Sequence, residues 1–184
     1  MEIQSPAKIN LFLEICNKRP DGYHNLNTLM CCISLHDIVR LTFGQKKISV
    51  HCTHPDVPEN ETNLAWRAAR LFFDTARIDE GVRIDIEKNI PIGAGLGGGS
   101  SNAAAVLVAL NRITKALAER ELLTIAPKIG ADVPFFIRSQ TAIMEGVGEK
   151  ITGLRDFPTF HYVILCPNIH TSTEIGRASC RERV

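Results

Sequence analysis

Five of the seven residues from Gly93 to Gly99 are glycine, in the run Pro91-Ile92-Gly93-Ala94-Gly95-Leu96-Gly97-Gly98-Gly99-Ser100-Ser101. Glycine lets backbone N–H groups gather round an anion with no Cβ in the way. A helix that leaves such a run presents unpaired N–H groups and a partial positive charge at its first turn. A strand pattern precedes the run and an Ala- and Leu-rich stretch, Asn102–Arg112, follows it, so the chemistry it predicts is phosphate binding. Ser100 and Ser101 stand where a hydroxyl can cap the helix, bond a phosphate oxygen or help to hold Mg²⁺. A Walker loop requires Lys directly after the last glycine, and Ser100 is there instead. Gly93-x-Gly95-x-x-Gly98 matches the dinucleotide pattern, but that fold wants an acid ~20 residues on at a strand end. Glu119 lies at that distance inside a helical pattern. A flexible linker would not normally join a clean strand to an Ala-rich helix.

Two further side chains have types suited to catalysis. In Lys8–Ile15 the apolar Ile9, Leu11, Leu13 and Ile15 alternate with Lys8, Asn10, Phe12 and Glu14. That period predicts a half-buried strand with Lys8 and Asn10 together on the face away from the core. Asp132 follows a helical pattern and precedes Pro134, a turn from which a carboxylate can project into a cleft and accept a proton. On type and spacing alone, an exposed strand lysine and a turn-forming aspartate are the favoured readings. Tyr23 and His24 follow the turn Arg19-Pro20-Asp21-Gly22.

The elements that must position these residues can be read from their periods. Strands are predicted at Asn27–Ile33, Asp37–Phe43, Lys47–Cys52, Val82–Glu87, Thr141–Glu145 and His161–Cys166. One helix opens near Thr62 or Asn63, either of which can cap it, with Leu64, Ala68, Leu71 and Phe72 as its apolar stripe. Another covers Leu117–Ile129 and stops at Gly130. The only tryptophan, Trp66, reads as helix packing. This order of strands and helices predicts an α+β domain, helices on one face of a largely antiparallel sheet.

Bulk properties narrow the function classes. Lys plus Arg is 21 against Asp plus Glu at 20 in 184 residues, with no basic run of five. That argues against a nucleic-acid partner. No apolar stretch approaches the ~20 residues of a membrane span, and the first residues lack a signal-peptide pattern, so the expected compartment is the cytoplasm. The six cysteines form no CxxC pair, and reduced, mostly buried thiols are expected. His51-Cys52-Thr53-His54 reads as a strand end running into a loop, and no metal site is expected.

The glycine run with Asn102-Ala103-Ala104-Ala105 resembles the second motif of the GHMP kinases. Ser5-Pro6-Ala7-Lys8-Ile9-Asn10-Leu11-Phe12-Leu13, Asp21-Gly22-Tyr23-His24, Ile129–Phe136 and Glu145–Glu149 resemble, in order, stretches of the branch that acts on 4-diphosphocytidyl-2-C-methyl-D-erythritol. The resemblance spans roughly residues 5–173. It implies a fold like domain 2 of ribosomal protein S5, ATP with Mg²⁺ as cofactors, and phosphorylation of the 2-hydroxyl of that small molecule. Residue by residue, it implies Lys8 and Asp132 as the catalytic pair, the aspartate taking the hydroxyl proton. Residues 91–101 would bind ATP phosphates, with Asn63 and Lys88 on the adenine and ribose side. Asn10, Tyr23, His24 and Thr173 would contact the acceptor. Residues 1–165 are expected to form the amino-terminal ATP-binding domain and 166–175 to begin an interdomain segment. The stretch 176–184, with three arginines and no aromatic where the family has one, departs from the pattern and reads as foreign sequence. The family's second domain is expected to be largely missing, leaving activity weak or absent.

Overall fold

The computed structural model describes residues 1–18, 24–146 and 150–167. Tyr23, Thr173 and the 176–184 tail lie outside them, as does most of the expected interdomain segment. The sheet is built on two long strands, β1 (Glu2–Lys18) and β2 (His24–Gln45), paired antiparallel over most of their length. β2 also pairs antiparallel with β4 (Gly81–Glu87) through residues 38–45 and with β5 (Ala142–Gly146) through residues 26–30. β3 (Ser49–Cys52) joins β4 in the one parallel pair among the described strands, and β6 (Lys150–Gly153) extends β5. The two strands predicted at Asn27–Ile33 and Asp37–Phe43 are therefore one strand. Its break with β1 falls at Ile33–Leu35, where the register shifts opposite Ala7.

Single-residue bulges at Leu11 and Cys16 shift the phase of β1. A bulge turns the following side chains to the other face, and the predicted apolar face does not hold. Leu11, Phe12 and Leu13 are all exposed, while Lys8 is buried. The predicted strand at His161–Cys166 is also absent. Residues 161–167 pair with no described strand and leave Val163 93% and Leu165 87% exposed.

The helices α1 (Leu64–Ala76), α2 (Gly98–Thr114) and α3 (Glu119–Ile129) supply most of the rest of the core. Phe72 of α1, Leu107 and Leu110 of α2 and Ile125 of α3 pack with Val39, Val82 and Ile84 of the sheet. Removing such surface from water stabilises the fold by ~25 cal/mol per Å². Asn63 is the cap of α1, its Oδ1 accepting the N–H of Ala65 at 2.8 Å. Trp66 is half-buried against the core. α3 ends at Gly130 as predicted, but with extended backbone rather than a left-handed cap. A six-residue helix that periodicity missed, α4 (Val133–Arg138), follows with Pro134 in its first turn. No helix among the described residues is long and apolar enough to cross a membrane.

The five described cysteines are free. Cys31 and Cys52 are buried, Cys32 is half-buried, and Cys16 and Cys166 are exposed, so burial is less general than expected. Desolvation, with adjacent Cys31 adding to it, pushes the Cys32 thiol up to about 12. A folded thiol held protonated while its unfolded counterpart ionises near 9 makes unfolding release a proton. This contribution is flat below that pH and lost as pH rises through it. Urea midpoints should therefore fall from pH 8 to pH 10, and fall less in Cys32→Ser. Iodoacetamide at pH 8 should label Cys16 and spare Cys32 until the chain is unfolded.

Candidate functional site

Strand β4 ends at Glu87, and the chain crosses Lys88–Ile90 into the glycine run. The predicted helix boundary at Asn102 is four residues late. Gly97 (φ +71°) is the cap and α2 begins at Gly98, so Ser100 and Ser101 lie inside the first turns and neither caps the helix. The left-handed conformation at Gly97 suits glycine, and a Cβ there would stand 3.0 Å from the Phe136 ring and 3.1 Å from Lys8 Cγ. The cap makes no side-chain hydrogen bond. The first N–H to bond back into the helix is that of Ser101, to Gly97 O at 2.9 Å. The donors at Gly98, Gly99 and Ser100 precede it, in the geometry that binds an anion.

A cleft of about 230 Å³ lies over this loop. Its lining includes Pro91 to Gly99, Asn63, Lys88 and Asn102, with Val57, Pro58 and Leu64 as an apolar wall. Two of the predicted nucleotide contacts are already engaged. The Asn63 amide caps α1 and donates to Pro58 O at 2.7 Å. The Lys88 ammonium lies in a buried ion pair with Asp37 at 2.5 Å. Ser101 is buried and accepts from Ser5 Oγ at 2.8 Å. Ser100 is half-buried at the first turn, its hydroxyl without a partner among the described residues.

Beside the loop, three chain-distant residues meet. The Lys8 N–H donates to Leu96 O at 2.9 Å, which ties β1 to the glycine run. Its ammonium donates to Asn10 Oδ1 at 2.6 Å and lies 3.8 Å from Asp132 Oδ2. Asn10 in turn donates to Thr28 Oγ1 at 2.7 Å, and Thr28 donates to Phe12 O at 2.7 Å. This relay fixes which end of the Asn10 amide faces Lys8. Asp132 precedes α4 yet makes no cap hydrogen bond, so its carboxylate, 37% exposed, is turned to Lys8 and solvent. The relay shows that Asn10 shares a face with Lys8, as the strand period predicts. The site thus has an anion cradle, a cation and a carboxylate within reach of one another. The side chain of His24, like Tyr23 and Thr173, lies outside what is described.

Sequence reasoning missed Thr28, Asp37 and Ser5. All three are buried polar residues of β1 and β2, and burial of a polar residue is the signal that singles them out.

Comparison with known proteins follows the same lines. The family GHMP kinases N terminal domain matches residues 63–140. A 4-diphosphocytidyl-2-C-methyl-D-erythritol kinase of Clostridium botulinum (strain Loch Maree / Type A3) is 47% identical over 169 residues, 91% of this chain and 60% of that protein. One of the same name from Pelobacter propionicus is 41% identical over 175 residues, 94% of this chain and 62% of that protein. The crystal structure of a 4-(cytidine 5'-diphospho)-2C-methyl-D-erythritol kinase superposes with TM-score 0.71 at 44% identity, covering 84% of this chain and 55% of that one. The mevalonate kinase of Methanococcus jannaschii shares the fold at TM-score 0.64 and 16% identity, over 84% of this chain and 56% of that one. The chain spans about 60% of the length of the curated relatives it matches.

Proposed function

With the amino-terminal domain of the GHMP kinases as its fold, this chain, we propose, supplies the ATP site and catalytic pair of an isoprenoid-precursor kinase. The acceptor is the 2-hydroxyl of 4-diphosphocytidyl-2-C-methyl-D-erythritol, and the group transferred is the γ-phosphoryl of ATP. The observation that carries this reading is the convergence at Lys8. Its backbone is bonded to the glycine run while its ammonium lies 3.8 Å from the Asp132 carboxylate.

Phosphoryl transfer asks the protein for alignment, charge neutralisation and a place for one proton. The N–H groups of the first turn of α2 hold the phosphates. As the acceptor oxygen attacks phosphorus and ADP leaves, the hydroxyl proton passes to Asp132. Lys8 faces the same point and stabilises the negative charge that develops there. Asn10, oriented by Thr28, positions the hydroxyl or the adjoining diphosphate. Asn63 and Lys88 line the adenine and ribose side. Tyr23 and His24 take the cytidine end and Thr173 adds a substrate contact, a part of the assignment that rests on the motif resemblance alone. Mg²⁺ fits this donor set in one way: Ser101 and Asp37 are consumed by internal hydrogen bonds, which leaves the unpartnered Ser100 hydroxyl, nucleotide phosphates and water. When bound, the ion neutralises phosphate charge.

ADP release by the chain, with and without the acceptor, tests the proposal. Acceptor-dependent release supports it. His24→Ala should raise KM for the cytidylyl acceptor ~10-fold or more and leave KM for ATP within about twofold, since a buried hydrogen bond to the base is worth ~1–2 kcal/mol. Equal shifts in both would remove His24 from the acceptor site. The coverage of about 60% of the relatives favours a second reading, a nucleotide-binding unit that does not turn over alone. ATP binding without acceptor-dependent release would select it. A chain that does not bind ATP would sink both.

A further inference from the structure

At the two ends of the glycine run lies a buried polar network whose central carboxylate the transfer chemistry leaves without a task. Its hub is Asp37 on β2, 0% exposed. One carboxylate oxygen accepts the backbone N–H groups of Asn89 at 2.7 Å and Ile90 at 2.8 Å. The other accepts Lys88 Nζ at 2.5 Å and Asn102 Nδ2 at 2.9 Å. Asn102 also donates to Ser5 Oγ at 3.0 Å, and Ser5 donates to Ser101 Oγ at 2.8 Å. No buried side-chain nitrogen or oxygen among the described residues is left unsatisfied.

The placement of the donors gives the network its meaning. Lys88, Asn89 and Ile90 are the entry to the glycine run, and Asn102 is in the first turns of the helix that leaves it. All four hydrogen bonds to this carboxylate therefore come from the two ends of one loop. A buried carboxylate is costly unless paired and hydrogen-bonded, and a packing role alone would be met by an apolar residue at lower cost. A charged acceptor with four donors is rigid and directional instead.

We propose that Asp37 is the positioning residue of the phosphate loop. It fixes the separation of the loop's entry and exit, so that the first-turn N–H groups of α2 are aimed before a nucleotide arrives. Its consequence for ATP rests on the nucleotide reading of the cleft; its hold on the loop does not.

Two measurements on the full chain separate those parts. In Asp37→Asn one acceptor becomes a donor facing Lys88 and Asn102, and the ammonium loses its counter-charge. Amide hydrogen exchange across residues 88–102 should accelerate tenfold or more, with β3 and α1 within about twofold of wild type. The Kd for ATP by calorimetry should rise tenfold or more, at a temperature where circular dichroism shows the variant folded. Should that variant fail to fold, Asp37→Leu with Lys88→Met removes both charges and both acceptors without leaving a charge unpaired, and is read by exchange alone. Unchanged exchange at 88–102, or acceleration spread evenly through the sheet, overturns the proposal. If the wild-type chain binds no ATP while exchange responds as expected, the nucleotide reading fails and the loop latch stands.

Discussion

If the chain is the kinase proposed, Asp132→Asn should lower kcat for acceptor phosphorylation by about 10²–10⁴-fold, the range a positioned general base contributes, and move KM for either substrate by less than about threefold. The expectation comes from geometry. Asp132 spends no hydrogen bond on capping α4, and its carboxylate faces the Lys8 ammonium at 3.8 Å. The amide has the same shape but cannot take the proton, so binding survives and the chemical step does not. Lys8→Met should cost a comparable factor, because the charge it neutralises develops at the same point. The double variant should be little worse than the poorer single one, since residues acting on one proton and one charge are far from additive. Acceptor-dependent ADP release at saturating ATP measures all three. If Asp132→Asn kept kcat within a few-fold of wild type, Asp132 would not be the base.

Gly98→Ala is the second large effect, and it is read in stability. A Cβ at Gly98 would stand 2.7 Å from Lys88 Nζ and 3.1 Å from Ile90 Cγ2. A lysine usually swings aside for a methyl group. This one is buried and held to the fully buried Asp37 at 2.5 Å, so it can yield only by leaving its counter-charge. Separating a buried pair costs ~3–5 kcal/mol, or about 2 M in urea midpoint at an m-value of ~2 kcal/mol per M. Gly99 is one residue on in the same helical turn, and its Cβ would meet only Leu64 Cδ1, at an ordinary 3.6 Å. Gly99→Ala should therefore leave stability unchanged or raise it by up to ~1 kcal/mol through helix propensity. Similar midpoints for the two variants would show that Lys88 is not locked.

Much of the site was legible in the sequence because its signals are local. A glycine run between a strand and a helix, an asparagine before an apolar stripe, and a lysine and asparagine two apart on a strand each carry their meaning within a few residues. The meeting of Lys8, the glycine run and Asp132 is different: the motif resemblance implied it, and type and spacing alone favoured an exposed lysine and a turn-forming aspartate. What failed to read was non-local. The bulges at Leu11 and Cys16 depend on the register with β2, and period counting over Ile9–Ile15 cannot see a partner strand. The stretch His161–Cys166 has strand composition, yet composition supplies no ladder, and the described strands offer none. Asp37 opens a pattern that reads as an ordinary strand, Asp37–Phe43, and its four donors come from residues 88–102.

The double duty of β2 has a consequence for biosynthesis. Its amino-terminal half waits for β5, which begins roughly a hundred residues after β2 ends. At ~5–20 residues per second of synthesis, residues 26–30 spend about 5–20 s with one edge unsatisfied while β1 already lies along the other. An open edge is a template for another nascent chain. Slower elongation between Gln45 and Ala142 should therefore lower the soluble yield of this chain, and a chaperone that shields strand edges should restore it.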